Sequence, residues 1–283
     1  MTDTKRLFLF AGYDKDGIID DTLVYYITNL SKYGDVVLFM DSDVGDDELN
    51  KIKKFCVTAV GRRHGEYDFG SYKRAYLWAV ENLKLHDYDV VYMVNDSVYG
   101  PFFELKPYLK EMESNGTDAF GMVAKTGGHA PHIQSWFIGM RPAVFLTDWF
   151  DEFMKNIRHQ ESKNLVAIMY ETGFTIMLKQ HNIKFSCLYH VFNRGVYKRV
   201  KSLYKRHMPF MKKVAFLALD GALGYQIRYI LKRIPKELSD AIIKNAQRVY
   251  GAEYTDTVLN NGIWTSMKTR FKHAIKKIKS GTI

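Results

Sequence analysis

The tripeptide Asn95-Asp96-Ser97 puts a carboxylate between an amide and a hydroxyl, immediately after the apolar run at residues 90–94. That run is short and β-branched, so it reads as a buried strand. Gly100-Pro101 then closes the turn. Ligands of open α/β sheets collect beyond the carboxyl ends of strands. One acid and two small hydrogen-bonding groups there suit a metal ion, a phosphate or a sugar hydroxyl, but they equally suit a turn that only caps the next helix. The second carboxylate of interest is Glu171, inside the largely apolar stretch Met-Tyr-Glu-Thr-Gly-Phe. Isolated burial of a carboxylate is costly, so Glu171 needs a partner or a cleft. In a cleft its pKa would rise toward the range of a general base; on the solvent edge of its helix it would be inert.

Three further groups could touch a ligand. His129 and His132, with Gln134 and Ser135, lie in or beside the glycine-rich stretch 125–140. No cysteine or carboxylate stands near them at ligand spacing, so contact with a substrate hydroxyl is easier chemistry than metal binding. Residues 61–70 lack periodicity and read as a loop, with Ser71 as the cap of a helix reaching residue 83. Lys73 and Arg74 in the first turn of that helix would oppose its dipole unless an anion lies nearby.

The elements that must hold these groups alternate. A strand at residues 7–11 leads through a Gly- and Asp-rich turn to a helix over 21–33, then to a strand at 35–40 and the acidic turn that follows it. This is a β-α-β unit and implies a parallel pair. A short helix at 48–54, a strand at 56–60, the helix after Ser71, the strand before Asn95 and a helix at 103–113 continue the alternation. Strands at 118–124 and 185–189, an apolar run at 136–140 after a glycine-rich loop, and helices at 143–158 and 165–181 complete it, with Phe145, Trp149, Phe150 and Phe153 as a core face. The expected fold class is α/β, a mostly parallel sheet flanked by helices.

Composition bounds the rest. The chain has 283 residues and a net charge of +10, unevenly spread. Residues 1–195 hold 22 Lys and Arg against 26 Asp and Glu, and residues 196–283 hold 19 against 5. We therefore expect two parts, a domain over 1–195 and a basic helical extension over 196–283. The extension alternates Lys and Arg with Tyr, Phe, Leu and Met at near-helical spacing, to the terminal stretch 264–280. That pattern fits an anionic membrane surface and argues against nucleic acid, where so much apolar surface would serve no purpose. Two cysteines, Cys56 and Cys187, without CxxC spacing, argue against a disulfide framework or structural zinc and for a reducing cytoplasm. The first apolar run lacks the form of a signal peptide, and no stretch has the length of a transmembrane helix. No GxGxxG follows the first strand and no GxxxxGK[ST] appears, which excludes the common dinucleotide and ATP signatures.

Five stretches in consistent order, LFLFAGYDKDGIIDD, HGEYDFGSYKRA, VVYMVNDSVYGPF, HIQSWFIGM and YETGFTIMLKQHNI, resemble the rhamnan synthesis F family of bacterial cell-surface polysaccharide glycosyltransferases. The resemblance covers about residues 5–195 and implies a GT-A-like nucleotide-sugar fold. It implies that Asn95-Asp96-Ser97 stands where such enzymes carry an Asp-x-Asp holding a divalent ion, Mg or Mn, on the donor diphosphate. Asp96 is then the diphosphate-metal residue, with His190 as a further ligand and Arg194 near the leaving diphosphate. Ala11, Gly12, Tyr13, Asp14 and Asp41 would frame the nucleoside, while Asp68, Gly70 and Lys73 would lie along the diphosphate. Glu171 would be the catalytic base, and His132, Gln134 and Ser135 would face acceptor or donor sugar.

The implied reaction is inverting transfer of rhamnose from deoxythymidine-diphosphate rhamnose to a polyprenyl-diphosphate-linked glycan at the inner face of the membrane. A UDP-hexose donor, or a non-catalytic binding subunit, is the alternative.

Overall fold

The computed structural model describes residues 4–128, 130–262, 264, 268 and 271–272. His129 and most of the terminal basic stretch 264–280 lie outside the described residues. Ten strands occur among the described residues: β1 (Arg6–Gly12), β2 (Asp35–Met40), β3 (Thr58–Gly61), β4 (Val90–Asn95), β5 (Val98–Tyr99), β6 (Ala119–Thr126), β7 (His132–Ile133), β8 (Phe137–Met140), β9 (Phe185–Phe192) and β10 (Met211–Lys212).

The chain divides into two compact units. The first comprises Met1–Ile19, Leu23–Asp96 and Glu104–Asn193. Its sheet runs β3-β2-β1-β4-β8-β6, with β7 and β9 both on β6. β1 is parallel to β2 and β4, β2 to β3, and β6 to β9, whereas β8 is antiparallel to β4 and β6, and β7 to β6. This is the mostly parallel α/β sheet expected of the chain. The central strands are apolar without interruption because both faces are covered; Leu7 to Phe10 and Val90 to Val94 are buried throughout. Gly139 lets β8 pass close to its neighbours, since a Cβ there would sit 2.2 Å from the Phe120 ring.

One flank is an aromatic layer. Helix Tyr67–Asn82 sets Phe69 and Tyr76 against Phe150, Phe153 and Tyr170, with ring centroids 5.4 to 6.4 Å apart. The single helix expected over 143–158 is two, Pro142–Phe145 and Asp148–Lys155, because the Thr147 side chain accepts from Phe150 N and starts a second helix. Phe145, Phe150 and Phe153 are buried as expected. Trp149 is half-buried against the same core and also stacks on His181 at 4.6 Å.

A buried polar group underlies the sheet. Arg6 holds both oxygens of Glu113 at 2.6 and 2.7 Å, and Tyr92 donates to the same carboxylate at 2.7 Å. Bidentate geometry and a third donor are what make these charges, 13% and 10% exposed, tolerable at a largely buried position.

The second unit comprises Asp20–Thr22, Ser97–Phe103 and Arg194–Ile283. β5 and β10 pair antiparallel, and helices Val200–Lys205, Gly224–Leu231, Lys236–Tyr250 and Ala252–Asn260 pack with them. Tyr99 donates to Asn245 Oδ1 at 2.6 Å, which satisfies a phenol buried among Phe216 and its neighbours.

Candidate functional site

In the first unit, the carboxyl ends of β1 and β4 lie side by side, Ala11 paired with Asn95. Beyond the last paired residue, Asp96 N donates to Ala11 O at 3.2 Å and Tyr13 N approaches Asp96 Oδ2 at 3.4 Å. The Tyr13 ring is 50% exposed. An aromatic face in water beside an acid at two parallel strand ends is a surface on which a nucleobase can stack.

Asn95 extends the site sideways. Its N–H donates to Trp136 O at 3.2 Å and its side-chain amide donates to Asp68 Oδ2 at 3.1 Å. Tyr72 donates to Ser135 O at 2.9 Å. Ser135 in turn gives both its N–H and its hydroxyl to Glu171 Oε1, at 2.7 and 2.9 Å. Glu171 Oε2 faces His132 Nε2 at 3.5 Å. The other ring nitrogen, Nδ1, sits 2.8 Å from Ala130 O. A carbonyl and a carboxylate only accept, so both ring nitrogens of His132 face acceptors. Asp68, Asn95, Ser135, His132 and Glu171 thus belong to one hydrogen-bonded neighbourhood assembled from four separate stretches of sequence.

Glu171 reaches it through an irregular helix. The expected helix over 165–181 contains a π segment, Ala167–Thr172, between α-helical Lys163–Val166 and Gly173–Gln180. The wider turn changes which residues share a face, and π turns are frequent at functional sites. Ile168 and Met169 face solvent while Tyr170 is buried and the Glu171 side chain is 18% exposed. The solvent-edge alternative therefore fails, and Glu171 has the partners its position demanded.

Other expected site residues have structural work. Asp41 accepts from the N–H groups of His64, Gly65 and Tyr67 at 2.7, 2.8 and 3.1 Å. Burial acts to raise its pKa, but these donors, with the His64 ring, outweigh it and hold the carboxyl below its ordinary value. Asp14 Oδ1 accepts from Asp16 N and Ile18 N and so shapes the turn after β1. Gln134 is buried and accepts from Trp136 Nε1 at 2.9 Å. Gly12 and Gly70 are close-packed, a Cβ meeting Met40 at 2.7 Å and Glu66 at 2.2 Å.

Three expectations change. Helix Tyr67–Asn82 starts five residues earlier than a cap at Ser71 requires, where Asp41 accepts the first helical N–H, that of Tyr67. Ser71 is buried within the helix and lies 3.0 Å from His64 Nε2. Burial first, and Arg74 second, hold the His64 pKa below its ordinary value. Lys73 and Arg74 are therefore not in the first turn, and the anion their charges seemed to demand has no such basis. Lys73 donates to Ile157 O at 2.9 Å and Arg74 pairs with Glu66 at 2.6 Å.

The third change concerns His190, expected at a strand end beside Asp96. β9 continues to Phe192, so His190 is an exposed residue within it, level with Ala124. Strands β8 and β6 stand between β9 and β4, a separation of about 14 Å at the usual strand spacing. A hard divalent ion gathers several oxygen ligands within one coordination sphere. The structure does not bring Asp96 and His190 together, and among the described residues no three His, Cys, Asp or Glu side chains converge. The described residues do not gather the ligands of a protein-held ion.

In the second unit, Ser97 Oγ accepts from Lys212 Nζ at 2.8 Å, and Lys212 is buried. Arg194 is exposed, its guanidinium 5.7 Å from the Tyr197 ring centre. Sequence reasoning missed Lys212, Tyr72, Trp136 and Thr172, whose hydroxyl lies 3.3 Å from His132 Nδ1. Tyr72 and Trp136 carried one signal: buried rings with a polar tip need a partner. No helix among the described residues is long and apolar enough to cross a membrane.

Comparison with known proteins places the chain. The family described as Rhamnan synthesis protein F matches residues 36–279. An uncharacterized protein of Sinorhizobium fredii, y4gN, is 24% identical over 173 residues, 58% of this chain. The chain spans 44% of that curated relative's length. A solved structure from Desulfovibrio desulfuricans G20 assigned to the nucleotide-diphospho-sugar transferases is 14% identical, with a TM-score of 0.43 over 87% of this chain and 99% of that one. S. aureus TarS in complex with UDP-GlcNAc is 11% identical, with a TM-score of 0.38 over 98% and 92%. Core-mannan synthase A of Aspergillus fumigatus, in a Mn/GDP form, is 9% identical, with a TM-score of 0.34 over 63% and 70%.

Proposed function

The chain belongs to the rhamnan synthesis protein F family, and from that premise we propose that it is an inverting glycosyltransferase. A nucleoside-diphosphate sugar lies across the carboxyl edge of β1 and β4, its base against Tyr13 and its diphosphate beside Asp96. Glu171 takes the proton from an acceptor hydroxyl as that oxygen attacks the anomeric carbon and the nucleoside diphosphate departs. Ser135 anchors Oε1 of that glutamate. His132 borders Oε2, where the proton arrives. Asp41 and Asp14 keep the walls of the nucleoside end in shape, and Asn95 ties the strand end to Asp68.

The observation that carries this reading is the convergence of Glu171, Ser135, His132, Asn95 and Asp68 at one end of the sheet. Rhamnose from deoxythymidine-diphosphate rhamnose is the donor to which the family points; a UDP-hexose is the competing choice, since a few side chains around the hydroxyls decide it. The acceptor we propose is a glycan on a polyprenyl diphosphate at the inner face of the membrane, which suits a basic extension over residues 196–283. The expected divalent ion is left out of every step, because Asp96 alone does not make its site.

The test is transfer and hydrolysis with a panel of nucleotide sugars, comparing the parent with Asp96→Ala and Glu171→Gln. Turnover with one donor, lost in both variants, is the expected result. Full activity in both would remove the assigned roles. The reduced Asn95-Asp96-Ser97 motif favours a second reading, a subunit that binds nucleotide sugar without turning it over; calorimetric affinity with no product in the parent would decide for it.

A further inference from the structure

Within the second unit, three cations surround one ring. Lys201 Nζ, Lys205 Nζ and the Arg233 guanidinium lie 4.5, 5.6 and 3.7 Å from the centre of Tyr229. Lys201 and Lys205 stand one helical turn apart on Val200–Lys205, and Tyr229 lies on the packed helix Gly224–Leu231. The arrangement is built. Arg233 donates to Tyr229 O at 3.0 Å, Tyr204 donates to Arg233 O at 3.2 Å, and Gln226 accepts from Lys201 N at 3.1 Å.

Like charges spaced one turn apart repel, and among the described residues no carboxylate pairs with Lys201, Lys205 or Arg233. The ring quadrupole attracts each cation but carries no net charge to cancel theirs. The surrounding sequence supplies little relief, since residues 194–236 contain 12 Lys and Arg and one acid, Asp220. What the collar lacks is an anion. Lys205 and Arg233 are exposed and Lys201 half-buried around a half-buried amphipathic ring, the combination favoured at the headgroup level of a bilayer.

We infer that the Lys201, Lys205 and Arg233 collar around Tyr229 receives the phosphate groups of anionic lipids and docks this unit on a bilayer surface. The inference deepens the membrane part of the proposed function by giving it a site. The chemistry is phosphate recognition by three cations, and a membrane presents many such groups in one plane, so the attraction adds per residue.

The experiment is co-sedimentation of the full chain with vesicles of phosphatidylcholine alone or mixed with phosphatidylglycerol. The collar variant Lys201→Gln/Lys205→Gln/Arg233→Gln is compared with Lys53→Gln/Lys84→Gln/Lys110→Gln, which loses the same charge from exposed positions of the first unit. The parent is expected to sediment only with phosphatidylglycerol. Neutralising the collar should lower partitioning on the order of 100-fold, from the usual contribution of each basic residue near an anionic surface, while the control stays near the parent.

Equal loss in both variants would mean net charge alone acts and would overturn the site, as would parental binding by the collar variant. Displacement of the parent by inorganic phosphate at constant ionic strength would overturn the lipid in favour of a free phosphate. Donor hydrolysis measured without vesicles separates this from the catalytic reading. A collar variant that hydrolyses donor but leaves the membrane supports the docking site, and an inactive parent that still binds phosphatidylglycerol sinks only the transferase.

Discussion

The charges of the two units are treated in opposite ways. In the first unit, Asp41, Glu113 and Glu171 each meet several hydrogen-bond donors or a cation. In the second, Lys201 and Lys205 of helix Val200–Lys205 and Arg233, just past helix Gly224–Leu231, share a ring with no carboxylate among them. Charges that meet their partners within the chain fix a shape and hold reacting groups where chemistry needs them. Exposed charges that face one another contribute little to folding, and the proposed docking site uses them toward a partner outside the chain.

Four measurements press on that contrast. The largest expected effect is on catalysis: Glu171→Gln keeps the bonds from Ser135 but cannot take a proton, so the transfer rate should fall about 10²- to 10⁴-fold. Single-turnover kinetics with an unchanged melting temperature would separate this from unfolding. A retained rate would class Glu171 with Asp41, as a structural anchor. Next is the largely buried pair: Glu113→Ala removes the counter-charge of Arg6 and the acceptor of the Tyr92 hydroxyl and should cost about 3–5 kcal/mol in denaturant unfolding. A loss no larger than that of a surface substitution would show that compensation is not what holds the sheet.

Asp41→Asn should cost about 1–3 kcal/mol, because an amide replaces a carboxylate among three N–H donors. The pH dependence gives the sign. With its folded pKa lowered, Asp41 contributes fully above the unfolded value of about 3.9 and loses that contribution as the pH falls through the folded value. The difference between parent and variant, followed by urea unfolding, should therefore vanish in acid. The smallest effect belongs to the other unit: Lys201→Gln should shift stability by no more than about 0.5 kcal/mol, toward greater stability, as a like charge is removed. The shift should disappear at 1 M salt, where the screening length is about 3 Å.

Much of the frame was readable from local pattern. The apolar runs that became β1, β2, β4 and β8 announced themselves by composition, and the aromatic face of Phe145, Phe150 and Phe153 by spacing. Boundaries failed where a distant side chain intervened. Asp41 pulled the start of helix Tyr67–Asn82 back past Ser71, and Thr147 divided one helix into two. The end of β9 lay beyond His190 because β6 kept pairing with it as far as Phe192, and no pattern within residues 185–192 carries that information. For the site, the chemistry of Asp96 and Glu171 was legible as residue types in telling positions. The company Glu171 keeps was not, because a π turn aims it and Ser135 receives it from 36 residues away.

The sequence alone determined the α/β alternation, the acid after the fourth strand, the family and the concentration of positive charge in the last third. Periodicity, motif order and charge count are local or additive, and need no knowledge of what lies next to what. Only the tertiary structure decided that Glu171 meets Ser135 and His132, that His190 stands strands away from Asp96, and that three cations encircle Tyr229. Those are facts of strand order and helix packing, set by burial of the whole core, and no stretch of chain carries them by itself.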